Sequence, residues 1–216
     1  MRYILLLLSL CLVTVSGAAA TDKRPMSERL MYGKMDRAGR AGQYEPPDAA
    51  AAKKVDKTVQ FASNRAVDLG WQYLSRGDHA TAMKRFNQAW GLNPGNGRAY
   101  WGFAVILYTR DKDLAGAVKM FEWARRLVTD DPALFVDYGR ILETGGRPRD
   151  AIPMFEAALA MDEKIPPAYF GLVKAYLGIG DARKALHYAK KGRKMGTQFS
   201  DSEIEYLQEL ADKQPN

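Results

Sequence analysis

The chain has 216 residues, of which 47% are hydrophobic and 26% charged, enough for one domain with a real core plus short additions. Those proportions are ordinary for a globular protein. A formal net charge of +7 favours acidic partners or anionic surfaces weakly, and nucleic acid is not an expected target.

The first twenty residues differ from the rest. Arg2 gives a minimal positive start, Tyr3 to Val15 is an almost unbroken apolar run, and Ser16-Gly17-Ala18-Ala19-Ala20 supplies small residues. This pattern predicts a secretory signal peptide over residues 1–20, cut after Ala20. The apolar run is short for a membrane span of ~20 residues, so an uncleaved anchor is the weaker reading. A lipoprotein signal fits poorly, because the single cysteine, Cys11, lies inside the run and follows Leu10. The mature chain then carries no cysteine and an excess charge of +6, and is expected in an exported, periplasmic setting without a disulfide.

Residues 21–47 are polar, charged and poor in large aliphatics, which predicts a flexible leader. Met26, Leu30, Met31 and Met35 offer the alternative of a short docking helix. Asp48, after Pro46-Pro47, is a good start for a long first helix running through Ala49–Ala52 to Leu74.

A period then sets in. Ala82, Phe86 and Ala89 recur as Ala117, Phe121 and Ala124, then as Ala151, Phe155 and Ala158, and in altered form as Ala185, Ala189 and Gly192. The preceding halves repeat too. Ala66, Leu69, Gly70 and Tyr73 match Trp101, Ala104, Val105 and Tyr108, then Phe135, Tyr138, Gly139 and Leu142, then Tyr169, Leu172, Val173 and Tyr176. Steps of three and four residues place each set on one face of a helix, so each unit is a pair of helices. One pair cannot cover its own apolar face, whereas a stack of pairs can.

Arg76-Gly77-Asp78 can be an adhesion signal for animal cell-surface receptors. Here Gly77-Asp78 falls between the two helices of the first unit, and Gly180-Asp181 holds the same place in the fourth; Gly146 and Asp113 keep half of the pair. Gly suits the left-handed residue that closes a helix, and Asp accepts from the free N–H groups opening the next. The tripeptide therefore reads as a turn. Pro132 and Pro166-Pro167 open helices, where a missing N–H costs nothing. Pro153 lies inside a helix that starts at Pro148, or in the first turn of one capped by Asp150. Ser200-Asp201-Ser202-Glu203 is a capping box, and Ile204, Leu207, Leu210 and Ala211 form one apolar face of a sealing helix.

Leu69-Gly70, Tyr73, Ala82, Phe86, Ala89 and Pro94, with Trp101 in the next unit, resemble the tetratricopeptide repeat pattern over residues 63–197. Thr129, Glu163 and Thr197 replace the terminal Pro, and Ala189 replaces the last Phe. The resemblance implies an all-α, right-handed superhelical solenoid within residues 48–215. Its four hairpins would occupy about residues 63–97, 98–131, 132–165 and 166–199, and the capping helix about 201–213. It also implies a concave groove lined by the first helices, at Asn64, Val67, Trp71, Ile106, Arg110, Val136, Arg140, Phe170 and Lys174, with Leu74, Ala99, Gly102, Glu143 and Leu177 alongside. Trp71, Ile106, Val136 and Phe170 are placed to bury apolar side chains of a ligand, and Arg110, Arg140 and Lys174 to meet its carboxylates. The competing reading of Trp71 and Phe170 is that they fill gaps against the leader helix or neighbouring repeats. Val67, Trp71, Phe103, Ala133 and Asp137 stand where the chaperone-tail clamp of some relatives needs Lys, Asn and Arg, so that partner is not carried over.

Arg183, Lys184, His187, Lys190, Lys191 and Lys194 form a basic stripe, read first as a solvated outer face and second as a surface for an anionic polymer or lipid headgroups. Neither His79 nor His187 has a metal-ligand spacing around it, and neither a phosphate loop nor a Gly-x-Ser-x-Gly elbow occurs. No catalytic, cofactor or metal site is expected. The expectation is a non-enzymatic adaptor that binds a protein segment in its groove and supports assembly of an envelope complex. The alternative is a structural subunit whose groove is filled by its own leader.

Overall fold

A computed structural model describes residues 22–33, 47 and 55–214. The signal segment, Cys11 and Met35 lie outside the described residues. Among those described, two 3-10 turns, Met26–Glu28 and Leu30–Gly33, precede nine α-helices and there is no strand. The helices are α1 Lys57–Ser75, α2 His79–Leu92, α3 Gly97–Thr109, α4 Leu114–Leu127, α5 Pro132–Thr144, α6 Pro148–Met161, α7 Pro166–Gly178, α8 Ala182–Lys194 and α9 Asp201–Asp212. Each helix packs on the next, α1 with α2 through α8 with α9, and the first helices of successive units also touch. This is the all-α repeat solenoid that the periodicity predicts.

The turns within hairpins are made as the residues require. Gly77, Gly146 and Gly180 take φ of 76°, 78° and 80°, the left-handed region open to glycine. In the second unit Lys112 takes that role at φ 56°. Asp78, Asp113 and Asp181 then cap α2, α4 and α8, their carboxylates accepting from the backbone N–H of Thr81, Gly116 and Lys184 at 2.8–2.9 Å. Arg76-Gly77-Asp78 is thus a helix stop followed by a helix start. The capping box of α9 is complete, with Ser200 Oγ accepting from Glu203 N and Glu203 Oε2 accepting from Ser200 N.

Aromatic wedges set the spacing of the stack. A Cβ placed on Gly70 or Gly102 would fall 2.5 or 2.4 Å from the Phe86 ring, so that ring occupies space left by both glycines. Phe155 stands in the same relation to Gly139 and Gly171, at 2.8 and 2.3 Å. All three pairs, Gly70/Gly139, Phe86/Phe155 and Gly102/Gly171, are 69 residues apart. The fully buried Tyr100 and Tyr169 obey the same interval, donating to the carbonyls of Pro94 at 2.7 Å and Glu163 at 2.9 Å. The first two units are therefore repeated as a block by the last two.

Two local expectations change, and one open choice, at Pro153, is settled. The first helix does not run unbroken from Asp48: Asp56 is extended at ψ 140° and its side chain caps α1, accepting from Thr58 N at 2.8 Å. Residues 48–54 lie outside the described residues. Pro153 sits inside α6, which starts at Pro148 with Arg147 at its cap. The ring is exposed, and the carbonyl of Arg149 lacks the N–H that another residue would supply. The composition of the leader predicts flexibility, yet residues 22–33 form the two 3-10 turns and pack on α2 with Leu30 and Met31 buried, nearer to the docking alternative, though as two short turns with Met26 exposed. Composition undercounted those two anchors and the polar partners that α2 offers them.

Candidate functional site

The first helices line two neighbouring pockets. One, of about 360 Å³, is bounded by Asp68 and Trp71 of α1, Arg98 and Trp101 of α3, and Asp131 and Asp137 at the start of α5. The other, of about 270 Å³, is bounded by Val136, Arg140 and Glu143 of α5, Phe155 of α6, and Pro167, Phe170, Gly171 and Lys174 of α7. The 69-residue block relates them: Trp71, Arg98 and Trp101 of the first correspond to Arg140, Pro167 and Phe170 of the second.

In the first pocket the rings of Trp71 and Trp101 meet edge to face, 4.9 Å between centroids, and Trp71 also meets Phe86 at 5.4 Å. The Trp101 indole N–H donates to Asp137 Oδ2 at 3.0 Å. Arg98 pairs with Asp68 at 3.0 Å, and Asp131 caps α5 through Ala133 N. Three carboxylates face one guanidinium there, so the pocket is acidic.

Asp137 joins the pockets, because its other oxygen accepts from Arg140 at 2.8 Å. The floor of the second pocket is apolar: the Phe155 ring shows where Gly171 has no side chain, flanked by Val136, Pro167 and Phe170. Phe170 is 39% exposed and rests on Phe199, 4.5 Å between centroids, so the segment leading into α9 supports the pocket wall. At the rim Lys174 pairs with Glu143 at 3.0 Å, while Lys174 itself is largely exposed. Arg140 and Lys174 against Glu143 make this end basic. The exposed Lys174 end leaves its ammonium within reach of a carboxylate from solvent.

Of the groove residues expected from sequence, Trp71, Val136, Arg140, Phe170 and Lys174 lie at these pockets. Val67 and Ile106 do not: both are fully buried, because α1 and α3 close together over the Phe86 wedge. Asn64 accepts from Gln60 and Asn96, each at 3.0 Å, and ties α1 to the turn before α3. Arg110 is held by Asp111 at 2.8 Å and reaches the Glu28 carbonyl of the leader at 3.4 Å. Asp68, Arg98, Trp101, Asp131, Phe155, Pro167 and Gly171 line the pockets in addition to the expected groove positions, and Asp137 does so at a clamp position. The single-unit spacing matches Trp101 to a core position, where it is indeed buried, and the 69-residue register also equates it with Phe170.

The basic residues of α8 are all exposed. Arg183 donates to the Gln214 carbonyl at 2.7 Å, Lys190 to Gln208 at 2.8 Å, and Lys184 lies 5.3 Å from the Tyr176 ring centroid. Part of the stripe thus holds the terminal helix. Shifted ionisable groups belong to packing contacts. Burial and the hydrogen bond to Glu156 push the Tyr188 hydroxyl well above its usual range, and burial with Glu122 does the same to Tyr138. Among the described residues no group of three or more His, Cys, Asp or Glu could hold a metal ion, and no helix is long and apolar enough to cross a membrane.

Two models described as tetratricopeptide repeat match the sequence, one over residues 67–134 and one over residues 144–211. The chain belongs to the tetratricopeptide repeat family. Known structures agree on the fold. The structure of PilF from Pseudomonas aeruginosa is 20% identical with a TM-score of 0.63, over 73% of this chain and 72% of that one. A MamA structure is 18% identical with a TM-score of 0.58, over 70% and 85%. MamA from Desulfovibrio magneticus RS-1 is 16% identical with a TM-score of 0.54, over 70% and 92%. No curated protein matches the sequence. In this tetratricopeptide repeat protein the two pockets fall on the helices that the family pattern assigns to the groove.

Proposed function

We propose that this protein is a non-enzymatic adaptor that holds a segment of a partner protein across the two pockets and helps to assemble a larger complex. The exported character predicted from its first twenty residues assigns that complex to the cell envelope. The observation that carries the reading is the pairing of pockets of opposite character, joined by Asp137. A cationic side chain of the partner suits the Trp71–Trp101 pocket with its carboxylates, where aromatic faces and negative charge act together. A bulky apolar side chain suits the Phe155–Phe170 floor, and an adjacent carboxylate can take Arg140 or Lys174 from Asp137 or Glu143.

The test is affinity capture from the native organism with Trp71→Ala and Phe170→Ala combined, folding being verified by circular dichroism and thermal melting. Loss of a partner captured by the native chain is expected. Unchanged capture of every partner removes the groove reading. For the alternative, a groove filled by the chain's own leader, residues 22–33 supply one contact, the Glu28 carbonyl on the expected groove residue Arg110, but they pack on α2 and none of them lines either pocket. The basic stripe of α8 is assigned to a solvated outer face.

A further inference from the structure

Residue 87 breaks a pattern. After the signature aromatics Phe121 and Phe155 come Glu122 and Glu156, whose carboxylates accept from tyrosines: Tyr138 at 2.9 Å for Glu122, Tyr188 at 2.9 Å and Tyr176 at 3.3 Å for Glu156. After Phe86 comes Asn87, fully buried, which donates through Nδ2 to two carbonyls of the leader, Ser27 at 3.0 Å and Arg29 at 2.7 Å. An acceptor in two units has become a donor aimed at backbone carbonyls, which contact any sequence alike.

Around Asn87 the side chains supply selectivity. Lys84 pairs with Glu28 at 3.1 Å, and Asp111 with Arg24 at 2.9 Å. Arg110 orients Asp111 from the far side and reaches the Glu28 carbonyl. Leu30 and Met31 belong to the same apolar cluster as Met83 and Phe86 of α2, Met31 with no exposure at all. Met31 is held at φ 48°, a conformation a β-substituted residue avoids when free, so the docked shape is imposed by the surface. The contacts span α2 and the turn between α3 and α4, and so bridge the first and second units.

We propose that this seam, Lys84 and Asn87 of α2 with Arg110-Asp111, is a second peptide-docking surface, separate from the groove, whose resident ligand is the chain's own residues 22–33. It takes a segment with a cation, a carboxylate four residues on, and a buried apolar residue three further, the spacing of Arg24, Glu28 and Met31. The segment is a detachable strap. It is tied by two apolar anchors, a backbone clamp and partly exposed ion pairs, and residues 34–54 connect it to the repeats.

A labelled synthetic peptide of residues 22–33 tests this by anisotropy titration against the full chain and against Met31→Asp, which removes the buried anchor. The variant is expected to bind the peptide saturably, one to one. The native chain, occupied in cis, is expected to bind it at least about tenfold more weakly, since a tethered segment competes at an effective millimolar concentration. Asn87→Leu added to Met31→Asp, or Met31→Asp in the peptide, should abolish binding. Equal binding by the native chain and Met31→Asp, or none by Met31→Asp, overturns the proposal. Hydrogen exchange of the unaltered chain decides independently of any variant. The amides of Glu28 and Arg29, which donate to the Pro25 and Met26 carbonyls, should exchange faster than those of α2, whereas exchange in step with α2 means that the segment is core and the proposal is wrong.

Discussion

Phe155 and Gly171 share one volume: a Cβ on Gly171 would lie 2.3 Å from the ring. The ring thereby packs α6 against α7 and floors the apolar pocket. Gly171→Ala gains about 1 kcal/mol of helix propensity but must displace the ring at an overpacking cost of ~1–3 kcal/mol. Net destabilisation is expected, read as a lower urea midpoint with an unchanged slope, together with weaker partner binding. Gly178→Ala is the control: a Cβ there meets Pro148 only at 3.4 Å, so the propensity gain should survive.

Lys174 separates binding from folding. Its own end of the pair with Glu143 is exposed while Glu143 is largely covered, so Lys174→Ala should shift stability by no more than about 1 kcal/mol in a denaturant titration. Lys174→Glu places a carboxylate beside Glu143 at the pocket rim and should weaken capture of an acidic partner segment while leaving thermal melting nearly unchanged.

The pH dependence has a defined sign at Glu122. Burial opposes its charge, but hydrogen bonds from Arg125 and Tyr138 overcome this and hold the carboxyl below its usual range. The ionised form therefore stabilises the fold at pH above the unfolded value of ~4.3, and that contribution fades as pH falls through the lower folded value. Tyr138→Phe removes one donor. It should cost about 1 kcal/mol at pH 7 and progressively less below pH ~4, measured by urea unfolding at both pH values.

Asp113 carries an imperfection. Its Oδ1 caps α4 at Gly116 N, 2.8 Å, while Oδ2 is buried without a hydrogen-bond partner among the described residues. Asp113→Ser keeps a capping oxygen and removes the orphan, so stability should hold or rise. Asp113→Ala loses the cap and should cost about 1 kcal/mol in the same urea assay.

The fold was legible because its determinants are local. Small and aromatic residues at three- and four-residue steps, Gly at left-handed turns and Asp at helix starts each act within a few residues of themselves. The groove was legible only in part. Trp71, Arg140 and Phe170 follow from helical phase, but the burial of Val67 and Ile106 depends on how closely α1 and α3 approach over Phe86, which only the assembled stack determines. Trp101 is buried as the repeat spacing predicts, but its second role at a pocket wall follows from the 69-residue block that equates it with Phe170, visible in the Gly102 and Gly171 contacts. The docking of residues 22–33 rests on Asn87, Arg110 and Asp111, at least 54 residues further along the chain. No local pattern announces such partners.

The most direct measurement places a photo-crosslinking benzoylphenylalanine at Phe170, in the groove, or at Tyr206, also aromatic and more exposed, on α9 and outside both pockets. On irradiation in the native organism, position 170 should give a discrete adduct with another protein that is lost with Lys174→Glu, and position 206 should not give that adduct. No adduct from position 170, or the same adduct from both positions, contradicts a groove that holds a partner.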